Sequence, residues 1–355
     1  MGSIEGWSAE LQKYHPKLTR QSDFEDFWRT AIEEIFPDET GVKSWKIDIE
    51  SQDVLKEFRV GFDLSLTELS YPLKQVKVYK AMLEAADGTM INGWYLVPAS
   101  AGAESKVSAL VRFHGYSSNK GKICELLLWA LQGYAVLAMD VRGQCGETPD
   151  TRVYRSGSFS GWMTRGLDSP LEYYYRQVYL DCVHMIEALA RRPEVKADRI
   201  GLFGNSQGAG LSIAAAALIT KFSGVVSGIT AKVTAINAGV PFLTDMRRAF
   251  KESTDGPWTE FEWYFRMHDP LHEKEDAIFD CLSYFDAMNF APWIKTPVLI
   301  AVGLKDSACP PATAFALYNH LGGKKQIITY PDYGHESIDS HVDRQIGFFA
   351  AELLE

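Results

Sequence analysis

Arg199-Ile200-Gly201-Leu202-Phe203-Gly204-Asn205-Ser206-Gln207-Gly208-Ala209-Gly210-Leu211-Ser212-Ile213-Ala214 is the stretch on which the reading of this chain turns. A short apolar run of strand type meets Gly-x-Ser-x-Gly and passes at once into a run of small and apolar residues of helical type. A strand that reverses so sharply into a helix leaves Ser206 at the corner in a strained backbone conformation, and only small residues two positions to either side avoid collision. Gly204 and Gly208 supply that room. The turn lifts the serine hydroxyl above the sheet edge and aims the positive end of the next helix at it, so the Gln207 N–H is the natural first donor to a developing oxyanion. The pentapeptide alone is a weak signal; the strand before it and the apolar helix after it strengthen it.

The same rhythm extends outward from this corner. From residue 108 onward, short apolar runs at 109–113, 135–139, 200–203, 233–236, 298–302 and 326–330 are separated by helical patterns at 125–131, 175–189, 209–219, 312–320 and 341–354. That alternation predicts an α/β fold, a mostly parallel central sheet flanked by crossover helices. Upstream, residues 75–79 and 91–97 flank Asp87-Gly88 as a hairpin, and alternation at 45–49 and 58–64 predicts two further strands. Ser22 and Glu25 have capping-box spacing before Phe24, Phe27, Trp28 and Ile32, which predicts an amphipathic helix. Residues 1–70 hold too few apolar positions to enclose a core, so they are expected to pack as an extension on a main domain spanning 71–355. Residues 242–292 carry no strand pattern and are expected to form an insertion near the mouth of a site, with Trp263, Tyr264 and Phe265 covering core rather than ligand.

The composition excludes several classes of function. The 355 residues are 46% hydrophobic, ample for a sizeable core, and 36 Lys plus Arg against 46 Asp plus Glu give a formal charge of −10. That balance opposes binding to nucleic acid or an anionic membrane, and no apolar run is long enough to span a bilayer. Met1-Gly2-Ser3-Ile4-Glu5-Gly6-Trp7 has neither the basic start nor the apolar stretch of a signal peptide, and Gly6 stands where a myristoylation motif needs Ser or Thr, so a cytoplasmic location is expected. Cys124, Cys145, Cys182, Cys281 and Cys309 are odd in number, scattered and without C-x-x-C spacing, and read as reduced core thiols.

A serine hydroxyl needs a neutral imidazole to take its proton and a carboxylate to hold that imidazole in the right tautomer. Downstream of Ser206, Asp306 follows the apolar run 298–302, and His335 follows 326–330, both where parallel sheets collect their functional groups. Asp332 and Glu336 are rival carboxylates, but each shares the turn of His335 and is poorly placed to reach its Nδ1. The order Ser, Asp, His is the order found in α/β-hydrolases. Phe113-His114-Gly115-Tyr116 ends the first apolar run of the parallel region, and the Tyr116 N–H is expected opposite the Gln207 N–H as second oxyanion donor. Asp140-Val141-Arg142-Gly143-Gln144 ends the next, where a buried Arg142 must be paired and is expected to brace the loops beneath the site. His268 and His272, with Asp269 and Glu273, have a spacing that could hold a metal, but no third ligand is evident and Pro270 interrupts the helix, so a solvated segment is expected. His15, His184, His320 and His341 read as helix-surface or loop residues.

These motifs resemble carbohydrate esterase family seven, the acetyl xylan esterases and cephalosporin C deacetylases, of the α/β-hydrolase superfamily. The resemblance rests on Arg142-Gly143-Gln144, Gly204-Asn205-Ser206-Gln207-Gly208 and His335-Glu336, preceded by His114-Gly115-Tyr116, and it covers nearly the whole chain. It implies a serine esterase that removes acetyl groups from acetylated xylo-oligosaccharides and related small esters, with Ser206, Asp306 and His335 as triad and the Tyr116 and Gln207 amides as oxyanion hole. It implies no metal or organic cofactor. Trp129 and Pro241 fall where similar enzymes narrow the acyl pocket, and the family's assembly implies a homo-hexamer. Cys145 departs from the glycine that similar sequences carry there, which would strain the loop if the position required positive φ. The rival expectations are a general short-chain carboxylesterase and a non-catalytic ligand-binding protein on the same fold.

Overall fold

A computed structural model describes residues 4–36, 42–49, 52–59, 61–155 and 157–354. The chain enters through helices α1 (Ile4–Lys13) and α2 (Phe24–Ile35) and an antiparallel pair, β1 (Val42–Ile49) and β2 (Gln52–Arg59). Strands β3 (Ser65–Leu69), β4 (Val76–Glu84) and β5 (Met90–Pro98) follow, then β6 (Val107–Phe113), α3 (Ile123–Ala130), β7 (Ala135–Met139), α4 (Tyr174–Ala190), β8 (Val195–Asn205), α5 (Gln207–Phe222) and β9 (Val233–Gly239). Four helices intervene, α6 (Met246–Glu252), α7 (Thr259–His268), α8 (Glu275–Ser283) and α9 (Ala287–Phe290), before β10 (Val298–Gly303), α10 (Pro311–His320), β11 (Lys325–Tyr330) and α11 (Val342–Phe349).

Nine of these strands form one sheet in the order β11-β10-β9-β8-β6-β7-β5-β4-β3. The six from β6 onward are mutually parallel, and β5, β4 and β3 extend the sheet antiparallel beyond β7. The inner parallel strands are buried on both faces, β7 and β10 completely, which is why they read as unbroken apolar runs rather than alternations, whereas the edge strand β11 has no buried residue. From β6 the chain steps outward to β7 and then back past β6 to β8, so the winding reverses between β6 and β8. The carboxyl ends of such a pair splay their loops apart and open a crevice. Phe113 of β6 pairs in register with Gly204 of β8, which puts His114-Gly115-Tyr116 and the Ser206 corner side by side at that crevice.

Helix α2 is the anchor of the entry segment. Its Phe24, Trp28, Ala31, Ile32 and Ile35 are buried, and Trp28 packs among Tyr179, Phe285 and Phe290 while its Nε1 donates to Tyr284 O at 2.8 Å. Further along the same strap, Arg20 Nε donates to Asn289 O at 2.7 Å and Asn319 Nδ2 donates to Tyr14 O at 2.8 Å. The first residues of the chain thus close over elements made from its last third.

The structure departs from several expectations. The capping box expected from Ser22 and Glu25 does not form: the residue before helix α2 is Asp23, and its carboxylate is taken by the Tyr284 hydroxyl rather than by the helix. The strand expected at 58–64 falls mostly between strands: β2 ends at Arg59, residues 61–64 belong to no strand, β3 starts at Ser65, and residue 60 lies outside the described residues. The reading of Met1-Gly2-Ser3 also lies outside them. His184 and His341 are buried rather than superficial. Only Cys182, Cys281 and Cys309 are core thiols; Cys124 and Cys145 are exposed. Cys145 carries no positive φ, since Gly143 (φ 67°) takes the turn instead, so the strain expected at Cys145 does not arise.

Candidate active site

Ser206 sits at φ 56°, ψ −120°, a conformation that costs a non-glycine residue about 1–3 kcal/mol. It is held there by Ser206 N donating to Gly239 O (2.8 Å) and by its own carbonyl accepting from Phe242 N (3.1 Å) and Gly210 N (3.2 Å). A Cβ on Gly204 would lie 2.5 Å from Phe113 O, and one on Gly208 would lie 2.1 Å from the same atom. Both contacts are with backbone that cannot give way, so the corner requires glycine at both positions.

His335 Nε2 lies 2.9 Å from Ser206 Oγ, and His335 Nδ1 lies 2.8 Å from Asp306 Oδ2. The Asp306 carboxylate is fixed on its other oxygen by the backbone N–H groups of Ala308 (3.0 Å) and Cys309 (2.7 Å). An ionised carboxylate accepts only, so Nδ1 carries the hydrogen and Nε2 is left to receive the serine proton. The loops that bring these residues together touch closely: Lys305 N donates to Tyr333 O at 2.9 Å, and a Cβ on Gly303 would lie 2.5 Å from Gly334 O. Asp332 instead pairs with Lys305 Nζ at 2.7 Å, and Glu336 accepts from Gly334 N at 3.1 Å, so neither rival carboxylate is engaged with the imidazole.

One neighbour escaped the sequence reading. Cys309, three residues past Asp306, is buried beside the triad, and its thiol lies within 4.8 Å of the Asp306 and His335 side-chain atoms. Burial, with Asp306 adding to it, pushes the thiol well above its usual range, so it stays protonated and is no competing nucleophile. Asp306, Cys309 and His335 are also the group among the described residues close enough to hold a metal; the His268 and His272 pair is not such a group. His272 Nδ1 binds Glu275 at 2.7 Å, and His268 packs against Tyr264.

On the other side of Ser206, the 114–116 turn is fixed by His114, whose Nδ1 meets Gly115 O at 2.7 Å while Nε2 accepts from Val141 N at 2.9 Å. Burial holds the His114 pKa below its usual value, which keeps the ring neutral for that pair of bonds. A Cβ on Gly115 would stand 4.0 Å from Ser206 Cβ, so the turn approaches the nucleophile closely. The Tyr116 side chain reaches toward the inserted helices: its hydroxyl donates to Glu260 Oε1 of α7 at 2.5 Å and accepts from Trp162 N at 2.7 Å, while Glu260 Oε2 accepts from Met163 N at 3.0 Å. Burial pushes the Glu260 pKa up, and these hydrogen bonds pull against that shift. Nothing in the spacing of Glu260 announced this contact.

Gln207 opens α5, where the first N–H groups have no acceptor within the helix. Its side chain is locked in the interior: Gln144 Nε2 donates to Gln207 Oε1 at 2.8 Å, Gln207 Nε2 donates back to Gln144 Oε1 at 3.2 Å, and Tyr175 OH donates to Gln207 Oε1 at 2.8 Å. Arg142 is fully buried and forks onto two carboxylates, Asp181 (2.6 Å) and Asp87 (2.6 Å), while Gly143 O receives the Trp162 indole N–H at 2.9 Å. Arg142, Gly143 and Gln144 therefore brace the floor beneath Gln207 and the 161–163 loop. Asp140, the acid nearest in sequence, serves Lys120 instead, at 2.6 Å.

Ser206 and His335 open into a cavity of about 610 Å³, lined also by Trp129, Phe203, Val240 and the ion-paired Arg112 and Glu125. Trp129 is nearly buried against Phe203 and Phe349 and lines the cavity. Pro241 is buried next to Val240 and does not line it.

With this geometry in hand, three comparisons bear on the chain. The model of the acetyl xylan esterase (AXE1) family matches residues 7–353. Among solved structures, the chain is similar to the acetyl xylan esterase of Paenibacillus sp. R4, at 39% identity and TM-score 0.85 over 97% of this chain and 99% of that one. It is also similar to acetyl xylan esterase 1 of Thermoanaerobacterium sp. JW/SL YS485, at 33% identity and TM-score 0.82 over 97% and 98%. Acetyl esterase Axe7A of Xylanibacter ruminicola is 26% identical over 336 residues, which is 93% of this chain but 66% of the longer relative. The architecture is the α/β-hydrolase fold.

Proposed function

The chain belongs to the acetyl xylan esterase family, a family of carboxylic ester hydrolases, and from that membership we propose that it removes acetyl groups from acetylated xylo-oligosaccharides and related small esters. The observation that carries this reading is the continuous path Ser206 Oγ, His335 Nε2, His335 Nδ1, Asp306 Oδ2, with steps of 2.9 and 2.8 Å across its two gaps. In the proposed reaction His335 takes the hydroxyl proton as Ser206 attacks the acetyl carbonyl, and the Tyr116 and Gln207 amides receive the oxyanion. His335 returns the proton to the departing sugar oxygen, and water, activated by the same base, then releases acetate from the acetyl-serine. Asp306, tied down by two backbone amides, keeps the imidazole in one tautomer through both halves.

Trp129 is proposed to limit the acyl side, and Pro241, which does not line the cavity, to do so only through its neighbour Val240, which does. Deacetylation of cephalosporin C and assembly into a homo-hexamer belong to the same reading and rest on family resemblance. The test is hydrolysis of p-nitrophenyl esters from acetate to octanoate by wild type and Ser206→Ala. We expect a steep fall beyond acetate and a loss of about 10⁴-fold or more in the variant. A flat acyl-length profile points to a general short-chain carboxylesterase, and a wild-type rate in Ser206→Ala overturns the mechanism.

A further inference from the structure

The cavity over Ser206 has two chemically different walls, and α3 contributes to both. Glu125 and Trp129 are four residues apart on that helix and so share one of its faces. Trp129 belongs to the apolar wall with Phe203; Glu125 belongs to a polar wall with Arg112 of β6, whose Nη1 donates to Glu125 Oε2 at 2.7 Å. As a stabilising device this pair is weak, since both side chains reach solvent (28% and 44% exposed) and exposed ion pairs contribute about 0–1 kcal/mol. The fold nevertheless makes room for it. Gly121 turns at φ 76°, and a Cβ there would lie 2.7 Å from Glu125 Oε2 and 2.8 Å from Arg112 Nη1. That turn is itself fixed by the Trp94 indole N–H donating to Gly121 O at 3.0 Å.

Arg112 has five N–H donors and gives one to Glu125, and the second Glu125 oxygen has acceptor capacity to spare. A pair that offers donors and acceptors side by side matches a group that is itself both, namely a hydroxyl, and best two neighbouring hydroxyls on one ring. The apolar face of the same ring is what Phe203 suits, Trp129 being left to the acyl side. An aryl or alkyl alcohol offers the pair nothing and would leave its charges to be desolvated without return. We infer that Arg112 and Glu125 form the subsite for the alcohol half of the ester and select a polyhydroxylated, sugar-like leaving group. This rests on the esterase reading and adds to it the residues that read the substrate.

The experiment compares two acetyl esters that share the acyl group and differ in the alcohol, acetylated xylobiose and p-nitrophenyl acetate. The readout is the ratio of their kcat/KM values in wild type, Arg112→Ala, Glu125→Ala and the milder Arg112→Lys, with thermal midpoints alongside. The ratio is expected to fall about tenfold or more in the two alanine variants and by less in Arg112→Lys, because a hydrogen bond to a charged group is strong and Lys keeps charge without the fork. A ratio within about twofold of wild type in variants that keep their thermal midpoint overturns the subsite. Equal losses on both substrates overturn it too, because they mark a general effect on catalysis. A Ser206→Ala variant active on both esters would instead mean that the catalytic reading has failed, so the two failures are distinguishable.

Discussion

Glu260 sits on an inserted helix yet shapes the ground beside the nucleophile, and its carboxylate is the acceptor for both Tyr116 OH and Met163 N. A glutamine there has one oxygen for two donors, and its amide hydrogens must face one of them. Glu260→Gln is therefore expected to lower kcat on p-nitrophenyl acetate by roughly tenfold while moving KM little, because the role proposed for the Tyr116 amide is exerted once the oxyanion forms. Since burial raises the pKa of Glu260, protonation on the acid side produces a similar loss in wild type, and the variant should lack that component of the kcat profile. Equal kcat in the two proteins at neutral pH would show that Tyr116 is held without Glu260. At this scale, Ser206, Asp306 and His335 were legible because a glycine-flanked corner and two strand ends constrain local geometry. Glu260 and Cys309 were not, because their roles depend on which remote loops the fold lays against each other. The burial of His184 and His341 was hidden for the same reason.

Among the elements, the inner parallel strands were the most readable, as burial on both faces writes a run of Val, Ile, Leu and Ala directly into the chain. The antiparallel margin was less so: β3 is a largely exposed edge strand whose residues alternate weakly, and the strand expected at 58–64 stops just short of it. Helix α2 shows how a correct element can be read with a wrong detail, for its apolar face is as expected but its cap is replaced by a tertiary bond from Tyr284. That face carries much of the attachment of the entry segment. Trp28→Ala removes a fully buried indole and its bond to Tyr284 O, and is expected to cost about 3–5 kcal/mol in urea unfolding. A loss below about 1 kcal/mol would mean that α2 contributes little to the folded core.

Over the whole molecule, buried titrating groups pull stability in opposite directions with pH. His184 donates through Nε2 to Gly61 O at 2.7 Å, while its Nδ1 is buried without a partner, so burial drops its pKa to about 4. Below about 6.5 the unfolded chain takes up a proton that the native state refuses, and stability falls as pH falls toward 4. Burial moves Asp181 up to about 6 and Asp286 up to about 7, so their contribution is present at low pH and is lost as pH rises through those values. The contribution of His184 is separable by substitution: between pH 7 and 4.5, His184→Phe should lose about 2 kcal/mol less than wild type does. Parallel stability curves for the two proteins would place the acid sensitivity elsewhere.

The docking of Trp28 against Tyr284, 256 residues further along, also sets a schedule for synthesis. At about 5–20 residues per second, α2 leaves the ribosome roughly 10–50 s before the residue it must meet. For that interval its Phe24, Trp28 and Ile32 have no permanent home, and a nascent chain in this state is a client for any chaperone that captures short apolar helices at the exit tunnel.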